Sequence, residues 1–145
     1  MSWWSIVRFL HVLSAALWVG GQIAVSLVVL PAARRLLGPD QRAGVLREIG
    51  RRFGVVTMAV FLPVQIATGI ALARHNQVTW RSLAHTDYGR ILAAKLALFA
   101  AVMVAAGLHG MASGRGRTGF ARAMAMASLV GSVGVILLAT ALPTA

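Results

Sequence analysis

Hydrophobic and polar positions alternate in long blocks along this chain. Apolar residues run from Ile6 to Leu30, from about Phe53 to Ala73, from about Ile91 to Ala112 and from about Ala121 to Leu142. Each block is long enough for the roughly 20 residues that cross a bilayer as a helix. The sequence therefore predicts an all-α integral membrane protein, a single four-helix domain with short loops in up-down-up-down order. Trp3 and Trp4 precede the first block as interfacial anchors, and Arg8 can snorkel to the headgroups. The first block is longer than a signal-peptide core, is followed by arginines and has no clear small-residue cleavage site, so it reads as a retained span. Pro31 is expected to kink or end the first helix.

Between the first two blocks, Gly38-Pro39-Asp40 is a turn signal. Val45, Leu46, Ile49 and Phe53 then recur at helical spacing among Arg42, Arg47, Glu48, Arg51 and Arg52. That pattern predicts an amphipathic helix on the membrane face, running into the second span. Residues 74–90 form a polar connection with Arg74, His75, Trp80, Arg81, His85, Asp87 and Arg90. Residues 113–121 form a short Gly/Arg loop. In the fourth block Ser128, Gly131, Ser132 and Gly134 are small enough to let membrane helices approach closely.

Composition sharpens the class. The chain is 59% hydrophobic and 12% charged, with a mean hydropathy of +0.80, against about 25% charged for soluble domains. The net charge of +11 sits almost wholly between the apolar blocks, where anionic headgroups account for it. No polar domain remains to hold nucleic acid, and that partner is excluded. The absence of cysteine excludes disulfides, iron–sulfur ligation and thiolate metal sites. Arg34, Arg35, Arg42, Arg47, Arg51, Arg52, Arg115, Arg117 and Arg122 cluster in the first and third connections, opposite Arg8, Arg74, Arg81 and Arg90. The positive-inside rule then places both termini outside. A bias toward Ala, Arg and Gly suggests a GC-rich bacterium, so the expected location is the bacterial cytoplasmic membrane.

The candidate chemistry lies within the spans. An ionisable side chain at membrane depth is a functional hypothesis by default, and His11 and Lys95 are two such residues. Each falls roughly 7–9 Å below the outer end of its helix, at the same expected layer. No Asp or Glu lies inside a span to pair with Lys95. Desolvation favours a neutral amine, which can ligate a metal as a neutral imidazole can. A flat macrocycle with His11 on one side and Lys95 on the other would satisfy both; Trp18 would wall the pocket, and Arg8, Arg81 and Arg90 would pair with propionates. The bland alternative has Lys95 snorkelling and His11 bonded to a backbone carbonyl. A weaker second set is His109 with Met111, Met124 and Met126 (Met58 falls in the same half), because imidazole and thioether ligands suit Cu(I). Methionine is more often gap-filling core. His109 as the centre of a second haem site lacks a histidine partner. His75 and His85 read as solvated, and Gln22 and Gln65 as interhelical hydrogen bonders. No nucleophile–base arrangement, phosphate loop or carboxylate pair is present, which leaves hydrolase and nucleotide-binding readings without support.

Leu10-His11-Val12-Leu13 with Leu17-Trp18-Val19-Gly20-Gly21, Arg51-Arg52-Phe53 leading to Thr68-Gly69-Ile70-Ala71-Leu72, and Gly89-Arg90-Ile91-Leu92-Ala93-Ala94-Lys95-Leu96 before Leu108-His109 resemble the first three helices of the CopD copper-resistance family and of the related HemJ protoporphyrinogen oxidases. The resemblance covers roughly residues 6–112. Its HemJ side implies a four-helix haem b protein using a histidine and a lysine, onto which His11 and Lys95 fall. Its CopD side implies copper uptake. The Arg-Phe-x-Asn-Glu stretch of HemJ is replaced by Gly119-Phe120-Ala121-Arg122-Ala123-Met124, which looks more like CopD. Three readings stand open. The leading one is a haem-b membrane protein that transfers electrons or oxidises a reduced tetrapyrrole, passing electrons to a quinone or another membrane acceptor. The others are a copper transport or resistance protein and a cofactor-free accessory subunit. Monomer and oligomer are both open.

Overall fold

The computed structural model describes residues 2–141, so Leu142, the expected end of the fourth span, lies outside the described residues. The fold is all-α, and no strand occurs among the described residues. We number the helices α1 (Trp3–Leu36), α2 (Pro39–His75), α3 (Trp80–His85), α4 (Asp87–Gly114) and α5 (Thr118–Thr140). All but α3 are long and apolar enough to cross a membrane. Large apolar side chains such as Leu27, Met58, Val130 and Leu137 lie exposed along them, as lipid-facing side chains would.

α1 runs on through Pro31, which the sequence predicts as a kink or terminus, and α2 runs through Pro63. Both helices loosen into a π-helical turn just upstream, at Val25–Val29 and Thr57–Phe61, each followed by Leu-Pro. A proline ring inside an α-helix clashes with the carbonyl of the residue four before it, here Leu27 or Ala59. Widening the turn relieves that clash: the Leu30 N–H reaches back to the Val25 carbonyl, and the Leu62 N–H to that of Thr57. The expected turn at Gly38-Pro39-Asp40 is the start of α2, with Gly38 as N-cap, Pro39 in the first turn and Asp40 against the positive helix end. The expected amphipathic segment and second span form this one helix.

The chain divides into two compact units, Met1–Ala73 and Arg74–Ala145. The first is an antiparallel pair of α1 and α2: His11 meets Thr68, and Ser14 meets Gln65. In the second, α4 and α5 pack antiparallel. A Cβ on Gly131 would collide with the Val102 side chain, so the small residue there permits the close approach foreseen for the fourth block. Ser132, wholly buried, donates to the Ser128 carbonyl one turn back at 2.7 Å. The connection at 74–90 contains an unforeseen helix, α3. A reciprocal cap starts it: the Ser82 N–H bonds the Thr79 hydroxyl, and the Thr79 N–H bonds the Ser82 hydroxyl.

Candidate functional site: a histidine between two helices

His11 is half-buried on the face of α1 that meets α2. Its ring lies against Gly69, where an added Cβ would come within 3.3 Å of Cε1. Both ring nitrogens have partners on α2. Nδ1 is 2.8 Å from the Thr68 hydroxyl, and Nε2 is 3.0 Å from the Gln65 side-chain nitrogen. Ser14, one turn along α1 and buried, donates to Gln65 Oε1 at 2.6 Å and lies 3.1 Å from the His11 carbonyl. Four polar side chains thus close a network in an apolar helix pair, where an unmet polar group costs several kcal/mol. The Thr57 hydroxyl, in the π-helical turn of α2, is buried without a hydrogen-bond partner among the described residues. Trp18 is buried two turns below His11.

Lys95 lies half-buried in α4 and belongs to the second unit. Arg8, Arg81 and Arg90 are exposed, and Arg90 has Asp87 one turn away at 3.9 Å. His75 and His85 are exposed, as solvated residues would be. Within the second unit, His109 Nδ1 is 2.8 Å from the Ala121 carbonyl on α5. A carbonyl only accepts, so Nδ1 is the donor there, and in the neutral imidazole Nε2 is the lone-pair nitrogen. Met124, one turn past Ala121, is half-buried. Met111 and Met126 are more than half exposed, and Met111 leaves α4 on the side away from His109. Among the described residues no three of His, Asp and Glu gather as a metal site.

Thr68 and Ser14 are the partners of His11 that the residue pattern left unassigned; Gln65 was expected to bond between helices. The signal was present in their spacing. Ser14 follows His11 by three residues and Thr68 follows Gln65 by three, so two antiparallel helices can match the pairs.

These features define a four-span membrane protein with a histidine-centred polar site inside its first helix pair. The chain belongs to one family with an uncharacterised protein of Aquifex aeolicus (strain VF5), which is 32% identical over 107 residues, 74% of this chain and 68% of that one. It is also 30% identical over 123 residues to the copper transport protein CutJ of Bacillus subtilis (strain 168). That stretch is 82% of this chain and 21% of CutJ, so the chain spans about a fifth of that relative's length. No family model matches the chain. No solved structure matches it.

Proposed function

We propose that the chain is a CopD-like copper-handling membrane module that carries Cu(I) as cargo within the bilayer, with His11 as a donor. The observation that carries the reading is the His11 network: an imidazole held by oriented partners inside an apolar helix pair, in a chain resembling a copper transport protein over most of its own length. Neutral imidazole is a good ligand for Cu(I). A station built on one imidazole, with amide and hydroxyl groups around it, binds weakly enough to let an ion leave, as conduction requires. His109 offers a second imidazole with Nε2 as its lone-pair nitrogen, and Met124 is the thioether that follows one turn beyond its Ala121 anchor. The membrane is the bacterial cytoplasmic membrane, with both chain ends on its outer side.

The donor set at His11 favours a second reading. One imidazole without another soft donor beside it would suit a haem, which brings its own ring nitrogens to the iron, and His11 would be the residue that holds it. The residues fit: with Nδ1 tethered, Nε2 is the ligating atom, and Trp18 offers an apolar wall. A bound haem would supply one-electron chemistry. Arg8, one turn before His11 on α1, would meet a carboxylate of the bound group.

One purified sample in detergent separates the readings. Copper handling requires Cu(I) retention against a chromogenic chelator, weakened at least tenfold in His11→Ala, and no Soret band. A Soret band that His11→Ala or Lys95→Ala abolishes replaces copper with haem. Unchanged Cu(I) retention in His11→Ala removes His11 from the site.

A further inference from the structure

We propose that Thr68 is the positioning residue that fixes the His11 proton on Nδ1, and that Gln65 guards the Nε2 lone pair until an incoming ligand takes it. The role assigned to Nε2 rests on the reading of His11 as a donor; the tautomer itself does not.

The hydrogen-bond distances determine the direction of each bond. A threonine hydroxyl has one proton. The Thr68 oxygen lies 2.5 Å from the Val64 carbonyl, which can only accept, so that proton is committed there. Toward His11 the same oxygen must then accept, and Nδ1 must donate across the 2.8 Å contact. The Gln65 carbonyl lies further off, at 3.4 Å, and does not compete. Were Thr68 to donate to Nδ1, two oxygens would face each other at 2.5 Å with no proton between them.

The other side of the ring agrees independently. Ser14 and the nearer Gln65 side-chain atom are 2.6 Å apart, a length usual for O–H···O and short for N–H···O. That atom is the amide oxygen, which turns the amide nitrogen toward His11 at 3.0 Å. An amide nitrogen only donates, so Nε2 must accept. Both ends of the network, anchored at the Val64 carbonyl and the Ser14 hydroxyl, demand the same imidazole form. Metal-ligating histidines are prepared in this way, with the remote N–H tied to an oxygen and the near nitrogen left basic. The Gln65 amide bonds the lone pair meanwhile, so the polar atom is never bare in the apolar interior. When Gln65 yields Nε2, its oxygen keeps Ser14.

The test is nitrogen NMR of 15N-histidine protein in detergent, without metal, with the His11 signals identified by their loss in His11→Ala. Wild type should show a protonated, pyrrole-type Nδ1 and a pyridine-type Nε2. Thr68→Val leaves the Nδ1 N–H without an acceptor in an apolar interior, so in part of the population the Gln65 amide should turn over and accept from a protonated Nε2, giving a mixture of tautomers and weakening Cu(I) retention by about tenfold. Thr68→Ser, which keeps the hydroxyl, should restore both. Unaltered signals from His75, His85 and His109 report that the variants are folded. A proton on Nε2 in wild type overturns the proposal, as does a Thr68→Val protein with wild-type tautomer and affinity. If the tautomer pattern holds and wild type retains no Cu(I), the copper reading fails and the positioning role of Thr68 stands.

Discussion

At the scale of single residues, the site depends on small groups as much as on His11. Gly69 keeps its α-carbon side open for the imidazole, and a Cβ at 3.3 Å from Cε1 is tighter than ordinary van der Waals contact. Gly69→Ala should therefore tilt the ring, and Gly69→Val, with branching at that same atom, should displace it from Thr68. The expected readout is a shifted His11 nitrogen signal for Ala and a lost Nδ1 hydrogen bond for Val. Ser14→Ala leaves Gln65 Oε1 without its donor. Interhelical bonds of this kind in membranes contribute about 0.6 kcal/mol and at most about 1.7. A loss of that size in unfolding from mixed micelles is expected, and a larger one would mean that Ser14 does more than hold Gln65. The histidine was legible in the sequence because ionisable residues in spans are rare. Gln65 was legible as an interhelical hydrogen bonder, but Thr68 and Ser14 were not singled out, because threonine and serine in membrane helices commonly bond back to their own helix, as Thr68 also does to Val64.

At the scale of helices, the two prolines decide the register of the site. The π-helical turn at Thr57–Phe61 accommodates one more residue than the α-helix would, and one residue turns every later side chain by about 100°. Gln65 and Thr68 lie just beyond that turn. Pro63→Ala restores the missing N–H and removes the clash with the Ala59 carbonyl. The helix can then close into regular α form, rotating Gln65 and Thr68 away from α1. A His11 signal resembling that of Thr68→Val is expected, and an unchanged one would show that packing alone holds the π turn. The span positions were legible from apolar runs, and the start of α2 from Gly38-Pro39-Asp40. Continuity of α2 through Pro63 was legible in its unbroken apolar run; that of α1 through Pro31 was not, because the compensating π turn carries no sequence mark beyond the proline itself. α3 was missed because its cap pairs Thr79 with Ser82, where the usual signal is Glu or Gln.

The polar half of α2 gives a separate pH signature. Glu48 accepts from Arg51 at 2.9 and 2.8 Å and from Arg52 at 2.6 Å. These bonds, Arg51 first, lower its carboxyl from the ordinary 4.5 to about 2. A depressed carboxylate pKa stabilises the folded form above the unfolded value, and the contribution is lost as pH falls. Helicity by circular dichroism should decline between about pH 4.5 and 2, with Glu48→Gln starting lower and changing less across that window. Glu48 is exposed enough for salt to screen the effect, so high ionic strength should shrink it.

At the scale of the whole molecule, the distribution of arginine predicts its orientation. Arg34, Arg35, Arg42, Arg47, Arg51 and Arg52 flank the α1–α2 junction, and Arg115, Arg117 and Arg122 flank the α4–α5 junction. Basic residues in short loops near span ends are retained on the cytoplasmic side. The connection between α2 and α4 then lies outside, together with both ends of the chain. Because the chain has no cysteine, one introduced thiol is the sole target for a maleimide that cannot cross the membrane. Gly44 tolerates the change, since nothing lies within 4 Å of the added Cβ, and Ser113 and Asn76 are exposed. In intact cells Asn76→Cys should label, whereas Gly44→Cys and Ser113→Cys should label only after lysis. The reverse pattern would invert the protein and move His11, near the start of α1, from the outer to the inner leaflet. The outcome bears on direction as well as orientation. With the outer placement His11 is the imidazole within the spans that lies toward the outside, beyond the exposed His75 and His85 of the outer connection, and His109, near the end of α4, lies toward the cytoplasm. Cu(I) loading of whole cells should then be slowed by His11→Ala at low external copper, an effect that inversion of the protein would abolish.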